Sequence, residues 1–463
     1  MMQRPPKLVV LSLDGVPHGL ANSLMDAGHM PALANLCERH GRPRMMRSVF
    51  PTVSCVAWAS YATGRNPGKH GIFGFLDRRR GSYDITFPNA ASMRGPNIWE
   101  ILSDHGKKVF GMNVPSTYPP RPVNGTLIGG FLAPSLEKVA YPPTEAAYLR
   151  SIDYRIDSDS MIARESKKDM LADLDVTLAN RRAAMLHYLS AESWDFFHTH
   201  VMGTDRINHF LLAEALRGGS DLARGFHDYY RKVDGLVADL LEAIGDDTPV
   251  MILSDHGFCP IKYEVQLSRY LVEKGWTTPA ENVQSPLSID PARSRAFCLI
   301  PGRVFVNLRG REGAGCVGPE EYDAVRAQLT RDLLELRDPN GEPVIRCVVK
   351  REDLYWPAGQ HQPDDANVNA AGSPPYDLAA DLIAIPHDGY DLKMGLIAPE
   401  KFLTTQLEGM HTAHDAMVLT RGIELPEEEL EIRQLAGPIL DALDVPAGEE
   451  LDLAQVPAPQ GVA

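Results

Sequence analysis

Three stretches of this sequence put acidic and imidazole side chains where an apolar run stops. Leu11-Ser12-Leu13-Asp14-Gly15 leaves a carboxylate at the end of the opening apolar run. Pro249-Val250-Met251-Ile252-Leu253-Ser254-Asp255-His256-Gly257 releases an Asp and a His on consecutive residues, which can converge only where the backbone turns. Gly203-Thr204-Asp205-Arg206-Ile207-Asn208-His209 spaces Asp205 and His209 four apart, one above the other on a helix face if Asp205 opens a helix. Carboxylates and imidazoles placed in this way suit a shared metal ion. Each has a plainer use as well, since Asp-Gly is a common turn and Asp a common N-cap.

Two further places add a nucleophile and another imidazole. Pro51-Thr52-Val53-Ser54 leads into a run through Thr63 that Gly64 closes, which reads as a helix with Ser54 near its start. A hydroxyl there meets unpaired backbone N–H groups and the positive end of the helix dipole, an arrangement that receives anions. The plainer role for Ser54 is an N-cap. Gly409-Met410-His411-Thr412-Ala413-His414-Asp415 sets two His before the apolar run 416–419.

Such residues need strand ends to hold them, and the chain supplies short apolar runs alternating with helical periodicity. Strands are predicted at 7–13, 108–113, 126–128, 195–201, 249–253 and 382–385, and helices at 30–40, 97–105, 171–190 and 222–244. Strands separated by helices predict an α/β fold with a mostly parallel central sheet covered by helices on both faces, and ligands gathering beyond the strand carboxyl ends. The catalytic core is expected over 1–262 and 377–445. Between them, 263–376 is richer in Pro, Gly and charge and reads as an inserted smaller α+β cap that shapes the substrate site. It carries a strand-like 303–308, a helix-like 319–337 and a polar loop at 360–375; a flexible tail is expected at 446–463.

Composition limits the partners. Against 46 basic residues stand 61 acidic ones, a net charge of −15, which disfavours a nucleic-acid polymer and an anionic membrane surface. It leaves room for a small anionic substrate, because the field of a site is local. No run approaches the roughly 20 apolar residues of a membrane span, and the run 8–13 is too short for a signal segment. Six cysteines without a CxxC pair indicate neither a thiolate cluster nor a disulfide framework. The expectation is a reduced, cytoplasmic protein.

Taken together, the order and spacing of these motifs resemble the alkaline phosphatase superfamily, and within it the type I phosphodiesterase and nucleotide pyrophosphatase branch. The resemblance runs from Lys7 to about Gly422. It is carried by the block from Phe50 to Ile72, ending Thr63-Gly64-Arg65-Asn66-Pro67-Gly68-Lys69-His70-Gly71-Ile72, by Asp205-x-x-x-His209 and by Ser254-Asp255-His256-Gly257. Asn113-Val114-Pro115-Ser116-Thr117-Tyr118-Pro119-Pro120 and Asn307-Leu308-Arg309-Gly310-Arg311-Glu312 are similar to a prokaryotic subgroup of predicted phosphohydrolases or phosphomutases.

The resemblance implies two divalent metal ions, commonly zinc, with manganese or iron also suited to such donors. One ion would take Asp14, Asp255, His256 and the oxygen of Ser54; the other would take Asp205, His209 and one of His411 and His414, with His411 preferred because it follows Gly-x. Ser54, the second hydroxyl residue of Pro-Thr-x-Ser, would be the nucleophile, forming a phosphoseryl intermediate during hydrolysis of a small phosphoester, above all a phosphodiester. A phosphomonoesterase, a phosphomutase and a catalytically silent phospholigand-binding relative share the same ligand set. Phe75 stands where the branch carries an Asn that holds a phosphate oxygen, so Lys69, Asn113 and Arg206 are the candidates to replace it. Cys55-Val56-Ala57 does not match the Cys-x-Pro-x-Arg of sulfatases. Trp58, Tyr61 and Trp356 are either base-stacking platforms or core aromatics.

Overall fold

The computed structural model describes residues 4–282, 287–356, 376–449 and 451–453; the expected polar loop at 360–375 and the end of the expected tail lie outside the described residues. Two compact units emerge, one built from Met1–Arg65, Asn89–Pro260 and Gln406–Gln455, the other from Asn66–Pro88 and Ile261–Thr405.

The first unit holds a nine-stranded sheet. In chain order its strands are β1 (Leu8–Leu13), β2 (Arg44–Arg47), β3 (Val109–Met112), β4 (Gly125–Ile128), β5 (Ala140–Tyr141), β6 (Phe196–Val201), β7 (Val250–Leu253), β8 (Ala416–Arg421) and β9 (Leu430–Glu431). Across the sheet they run β9-β2-β8-β7-β1-β6-β3-β4-β5. The five from β7 to β4 are parallel, whereas β8 and β5 run against their neighbours. Every residue of β1 and β6 is buried, as a strand covered on both faces requires, and β1 is accordingly apolar but for Ser12, whereas β6 carries His198, Thr199 and His200 among its apolar residues.

The two faces are covered by different helices. Val9, Leu11 and Leu13 of β1 and Phe197 and Val201 of β6 join a core with Phe226, Tyr230, Val233 and Leu240. Those last four lie at helical spacing on Asp221–Ile244, which packs against Lys167–Ala191, Gly203–Arg217 and Pro31–His40. Ser220 and Ser166 cap the two longest helices, accepting from Ala223 N–H and Asp169 N–H. The opposite face, carrying Ser12, His198 and His200, packs against Trp58 and Tyr61 of the helix Ser54–Thr63. That helix ends at Gly64 in the left-handed region, φ 61°, and Asp452 N–H bonds to the Gly64 carbonyl.

The second unit is α+β. A four-stranded antiparallel sheet orders Ala296–Leu299, Arg303–Val306, Leu382–Pro386 and Ile345–Lys350, with helix Tyr322–Leu334 against it. A three-stranded sheet joins Tyr390–Lys393, Tyr263–Gln266 and Phe402–Leu403. The strand expected at 382–385 forms here, between Arg303–Val306 and Ile345–Lys350. Among the described residues no helix is long and apolar enough to cross a membrane.

The turn after β1 is fixed on all sides. Asp14 N–H donates to the Val201 carbonyl, and the Asp14 carbonyl accepts from Thr204 Oγ1 at 2.7 Å. Gly15 N–H donates to Asp255 Oδ1 at 3.0 Å, and its carbonyl accepts from Asn208 Nδ2 at 2.8 Å. Gly15 takes φ 65°, and a Cβ there would lie 2.5 Å from a Phe258 ring carbon. Gly15→Ala therefore meets both a left-handed backbone and a clash. The expected cost is about 1–3 kcal/mol, to be read from the denaturation midpoint of the metal-free protein beside the wild type.

Candidate active site

Adjacent parallel strands deliver the acids to one edge of the sheet. Leu13 of β1 pairs with Val201 of β6, and Ser12 pairs with Leu253 of β7, so Asp14, the turn into Asp205 and the Asp255-His256 pair all emerge at the carboxyl ends. Helix Gly203–Arg217 begins two residues after β6, with Asp205 in its first turn and His209 one turn later. His411 arrives from another direction, on the strand Gly409–Thr412, which pairs antiparallel with Gly257–Pro260 and sets His411 opposite Phe258.

Ser54 is the first helical residue, not the cap. Val53 holds the N-cap position, and its carbonyl accepts from Val56 and Ala57. The Ser54 hydroxyl is thereby free to turn inward, 3.2 Å from both Asp14 Oδ1 and His256 Nε2. His256 Nε2 also lies 3.3 Å from Asp255 Oδ2 and 3.7 Å from Asp14 Oδ1. In the second group, Asp205 Oδ1 is 3.2 Å from His411 Nε2 and 3.5 Å from His209 Nε2. Two sets of potential metal donors are compact, Asp205/His209/His411 and Asp14/Asp205/His256, each with its donor atoms within 4.8 Å of one another. Asp205 thus stands within reach of both, and Asp255 adjoins the second through His256.

The hydrogen-bonding of the imidazoles decides what this cluster can hold. Carbonyls only accept, so each Nδ1 facing one must carry the hydrogen: His209 toward Gly409, His256 toward Gly257, and His411 toward Thr52. All three then turn the lone pair of Nε2 inward, the arrangement of a metal-binding histidine. His209 Nε2 and His411 Nε2 are only 3.0 Å apart, with Asp205 Oδ1 beside both. Three acceptors that converge in this way repel unless a cation lies among them. Asp255 Oδ2 is likewise buried and has no hydrogen-bond partner among the described residues. The donor set therefore fits divalent metal ions.

Without a cation the acids disturb one another. Burial, and next the charge of Asp205, push Asp14 up to about 8. Burial and the charge of Asp14 drive Asp255 well above the usual carboxylate range. For Asp205 burial acts upward too, but the His209 charge, the His411 hydrogen bond and Arg206 outweigh it and hold the carboxyl well below that range. Burial lowers His209 to about 4 and holds His256 well below its ordinary value, so both imidazoles are neutral and ready to ligate.

Other residues singled out in the sequence separate in space. Arg206 spends its guanidinium on Asp157 at 2.6 Å and Asp205 at 3.0 Å, over the Phe131 ring. Asn113 sits fully buried at the end of β3 with φ 68°; Tyr154 donates to its Oδ1 at 3.4 Å, and its Nδ2 has no partner among the described residues. Lys69 and Phe75 belong to the second unit, Lys69 on the short helix Pro67–His70. His414 is exposed and stands outside the cluster that His411 joins. Trp58, Tyr61 and Trp356 are all buried, as core aromatics are. Trp58 has a use that its sequence position did not suggest, because its indole N–H donates to Asp14 Oδ2 at 2.8 Å.

Sheet order, strand-end acids and inward imidazoles form an α/β framework with a compact set of potential metal donors at the carboxyl edge of the sheet. The chain belongs to the type I phosphodiesterase / nucleotide pyrophosphatase family, whose model matches residues 8–414. Among solved structures it is similar to phosphonoacetate hydrolase from Sinorhizobium meliloti 1021 in complex with phosphonoacetate, with 16% identity, a TM-score of 0.60 and 96% of each chain covered. It is also similar to murine ectonucleotide pyrophosphatase / phosphodiesterase 5, inactive and in complex with AMP, at 13% identity and TM-score 0.55, again over 96% of both chains. The human form of that protein aligns at 14% identity and TM-score 0.53, with 96% of each chain covered. No curated protein sequence matches significantly.

The raised acids give a signed expectation for the metal-free protein. Asp14 binds its proton more tightly folded than unfolded, so its contribution to stability is complete below about pH 4 and is lost as pH rises toward about 8. Histidines lowered by burial act oppositely, but only below their unfolded value of 6.5. Chelated protein should therefore lose thermal stability between about pH 6.5 and 8.5. Added divalent metal, which binds the ionised carboxylate, should remove that slope. Parallel thermal scans with and without chelator check it.

Proposed function

We propose that this protein hydrolyses a small phosphodiester, with Ser54 as the nucleophile. The reading is carried by one observation, the convergence of the Ser54 hydroxyl on Asp14 Oδ1 and His256 Nε2 at 3.2 Å beside two compact donor groups. Asp14, Asp255 and His256 with Ser54 would hold one ion, and Asp205, His209 and His411 the other. Zinc suits this mixture of imidazole and carboxylate. Bound dications supply positive charge that makes a neighbouring hydroxyl more acidic and offsets charge developing on the phosphoryl oxygens.

The remaining work falls to the chain itself. The Ser54 hydroxyl, aligned from the helix start, gives up its proton and attacks phosphorus; an Oγ–P bond forms, the ester P–O bond breaks and the departing oxygen takes up a proton to leave as the alcohol. Water then attacks phosphorus, the Oγ–P bond breaks, a proton from the water returns to Ser54 Oγ and the phosphate monoester leaves. Ser54 is only 8% exposed, so bulk water is kept from the charges, whose effect is larger in a dry site. A diester fits better than a monoester on charge. Arg206, the cation beside the cluster, is already shared between Asp157 and Asp205, which suits the single negative charge of a diester over the two of a monoester.

Ser54→Ala should lower turnover of bis(p-nitrophenyl) phosphate on the order of 10³-fold or more, while bound metal, measured by atomic emission, stays at the wild-type amount. Retained turnover would remove Ser54 from the reaction. Rates on p-nitrophenyl phosphate and on phosphonoacetate, assayed beside the diester, test the substrate class; a faster monoester or phosphonate would overturn the diester preference.

A further inference from the structure

Behind Asp14 lies a row of buried polar groups that the proposed reaction does not use. Ser12 of β1 and His200 of β6 are paired neighbours across the parallel ladder, and His198, two residues along β6, projects to the same face. Ser12 Oγ is 2.8 Å from His200 Nδ1 and 3.0 Å from His198 Nε2. His200 Nε2 stands 3.3 Å from Asp14 Oδ2. All three side chains are fully buried, and aromatic rings enclose the imidazoles. Trp58 meets His200 edge-on at 5.0 Å, Tyr61 meets His198 edge-on at 5.4 Å, and Trp99 stacks on His198 at 5.5 Å. His200 Nε2 has no hydrogen-bond partner among the described residues, although an unpaired buried nitrogen is costly. Asp14 Oδ2 is the acceptor before it.

We propose that His200 is a positioning residue for Asp14, donating Nε2–H to Oδ2 and so fixing which carboxylate oxygen faces the reaction. This rests on reading Asp14 as a metal ligand. One placement of protons links the row to Asp14, leaving His198 Nδ1 as the buried atom without a partner among the described residues. A ligand carboxylate is ionised and only accepts, so His200 Nε2 carries the hydrogen. Neutral His200 then offers a lone pair at Nδ1, which takes the single hydrogen of Ser12. Ser12 Oγ in turn accepts from His198 Nε2–H. Every donor points toward Asp14, and hydrogen bonds aligned in one direction strengthen one another. Trp58 adds a second donor to the same Oδ2 at 2.8 Å. Oδ2 is thereby turned into the core and Oδ1 toward Ser54, 3.2 Å away. The 3.3 Å approach of His200 is of the kind that tightens when a site is loaded.

The test measures the affinity of the full chain for Zn²⁺ alone, by competition with a chromogenic chelator after metal removal. His200→Leu should bind zinc about 10- to 100-fold more weakly, with the number of ions at saturation unchanged. His200→Gln, whose amide nitrogen reaches the place of Nε2, should recover most of that loss, which a residue that only fills space would not do. If His200→Leu does not fold, Ser12→Ala removes one buried oxygen and should still weaken zinc binding by freeing His200 to reverse its hydrogens. Wild-type affinity in the folded His200→Leu or Ser12→Ala variant overturns the proposal, as does a lower saturating number of ions, which would make His200 itself a ligand. Asp14→Asn separates the two levels. If it loses zinc while His200→Leu keeps it, only the role of His200 falls; if it binds zinc as the wild type does, the ligand reading of Asp14 fails and the proposal goes with it.

Discussion

Mutual repulsion of buried carboxylates is the constraint around which this molecule is arranged. Asp14, Asp205 and Asp255 are each almost wholly shielded from water, and two like charges about 4 Å apart cost on the order of 4 kcal/mol even at an effective dielectric near 20. A chain does not bring three such groups together by packing preference. It does so here because three adjacent parallel strands end at one edge, and because every backbone group of the Asp14-Gly15 turn is bonded and cannot relax outward. Inward-facing imidazole lone pairs add to the electron density. Only positive charge can close the account, and within the unit Arg206 meets part of it through Asp205.

This resolves an apparent conflict between the whole protein and its site. A surface with net charge −15 repels polyanions. With two dications bound as proposed, of formal charge about +4, the three carboxylates would leave a pocket near +1. The local field would then be opposite in sign to the net charge of the molecule. A small phosphoester would meet attraction there, whereas a long polyanion would also meet the negative surface around it.

Much of this was legible from residue types and spacing. Asp14, Asp205, His209, Asp255 and His256 follow apolar runs, and strand ends are where a parallel sheet exposes side chains, so β1, β6 and β7 appear within a residue or two of their expected bounds. The preference for His411 over His414 comes from the family resemblance, and the strand paired with Gly257–Pro260 brings His411 Nε2 to 3.2 Å from Asp205 Oδ1. What escaped has physical reasons. Ser12, His198 and His200 lie inside runs that read as core, and a polar residue within a buried strand shows its partner only when the neighbouring strand is in register. Ser54 looked like a cap because caps and first-turn residues share the same residue types; the backbone of Val53 decides between them. The pairing of Arg206 with Asp157 depends on a loop without periodicity. The strand Leu382–Pro386 shows a further gap, since a short apolar run does not declare which sheet it will join.

The residues gathered at the sheet edge are distributed along the chain from Asp14 to His411, with Ser54, Asp205 and Asp255 between. Two local segments each supply a pair of these side chains, Asp205 and His209 on helix Gly203–Arg217 and the adjacent Asp255 and His256. During synthesis, then, the first strand of the sheet emerges from the ribosome nearly four hundred residues before the imidazole that completes its edge. Asp205, His209, Asp255 and His256 emerge within that interval, and His411 comes last. A nascent chain can acquire its hydrophobic layers progressively, but the donor set at the sheet edge is complete only once the strand Gly409–Thr412 has been made and pairs with Gly257–Pro260.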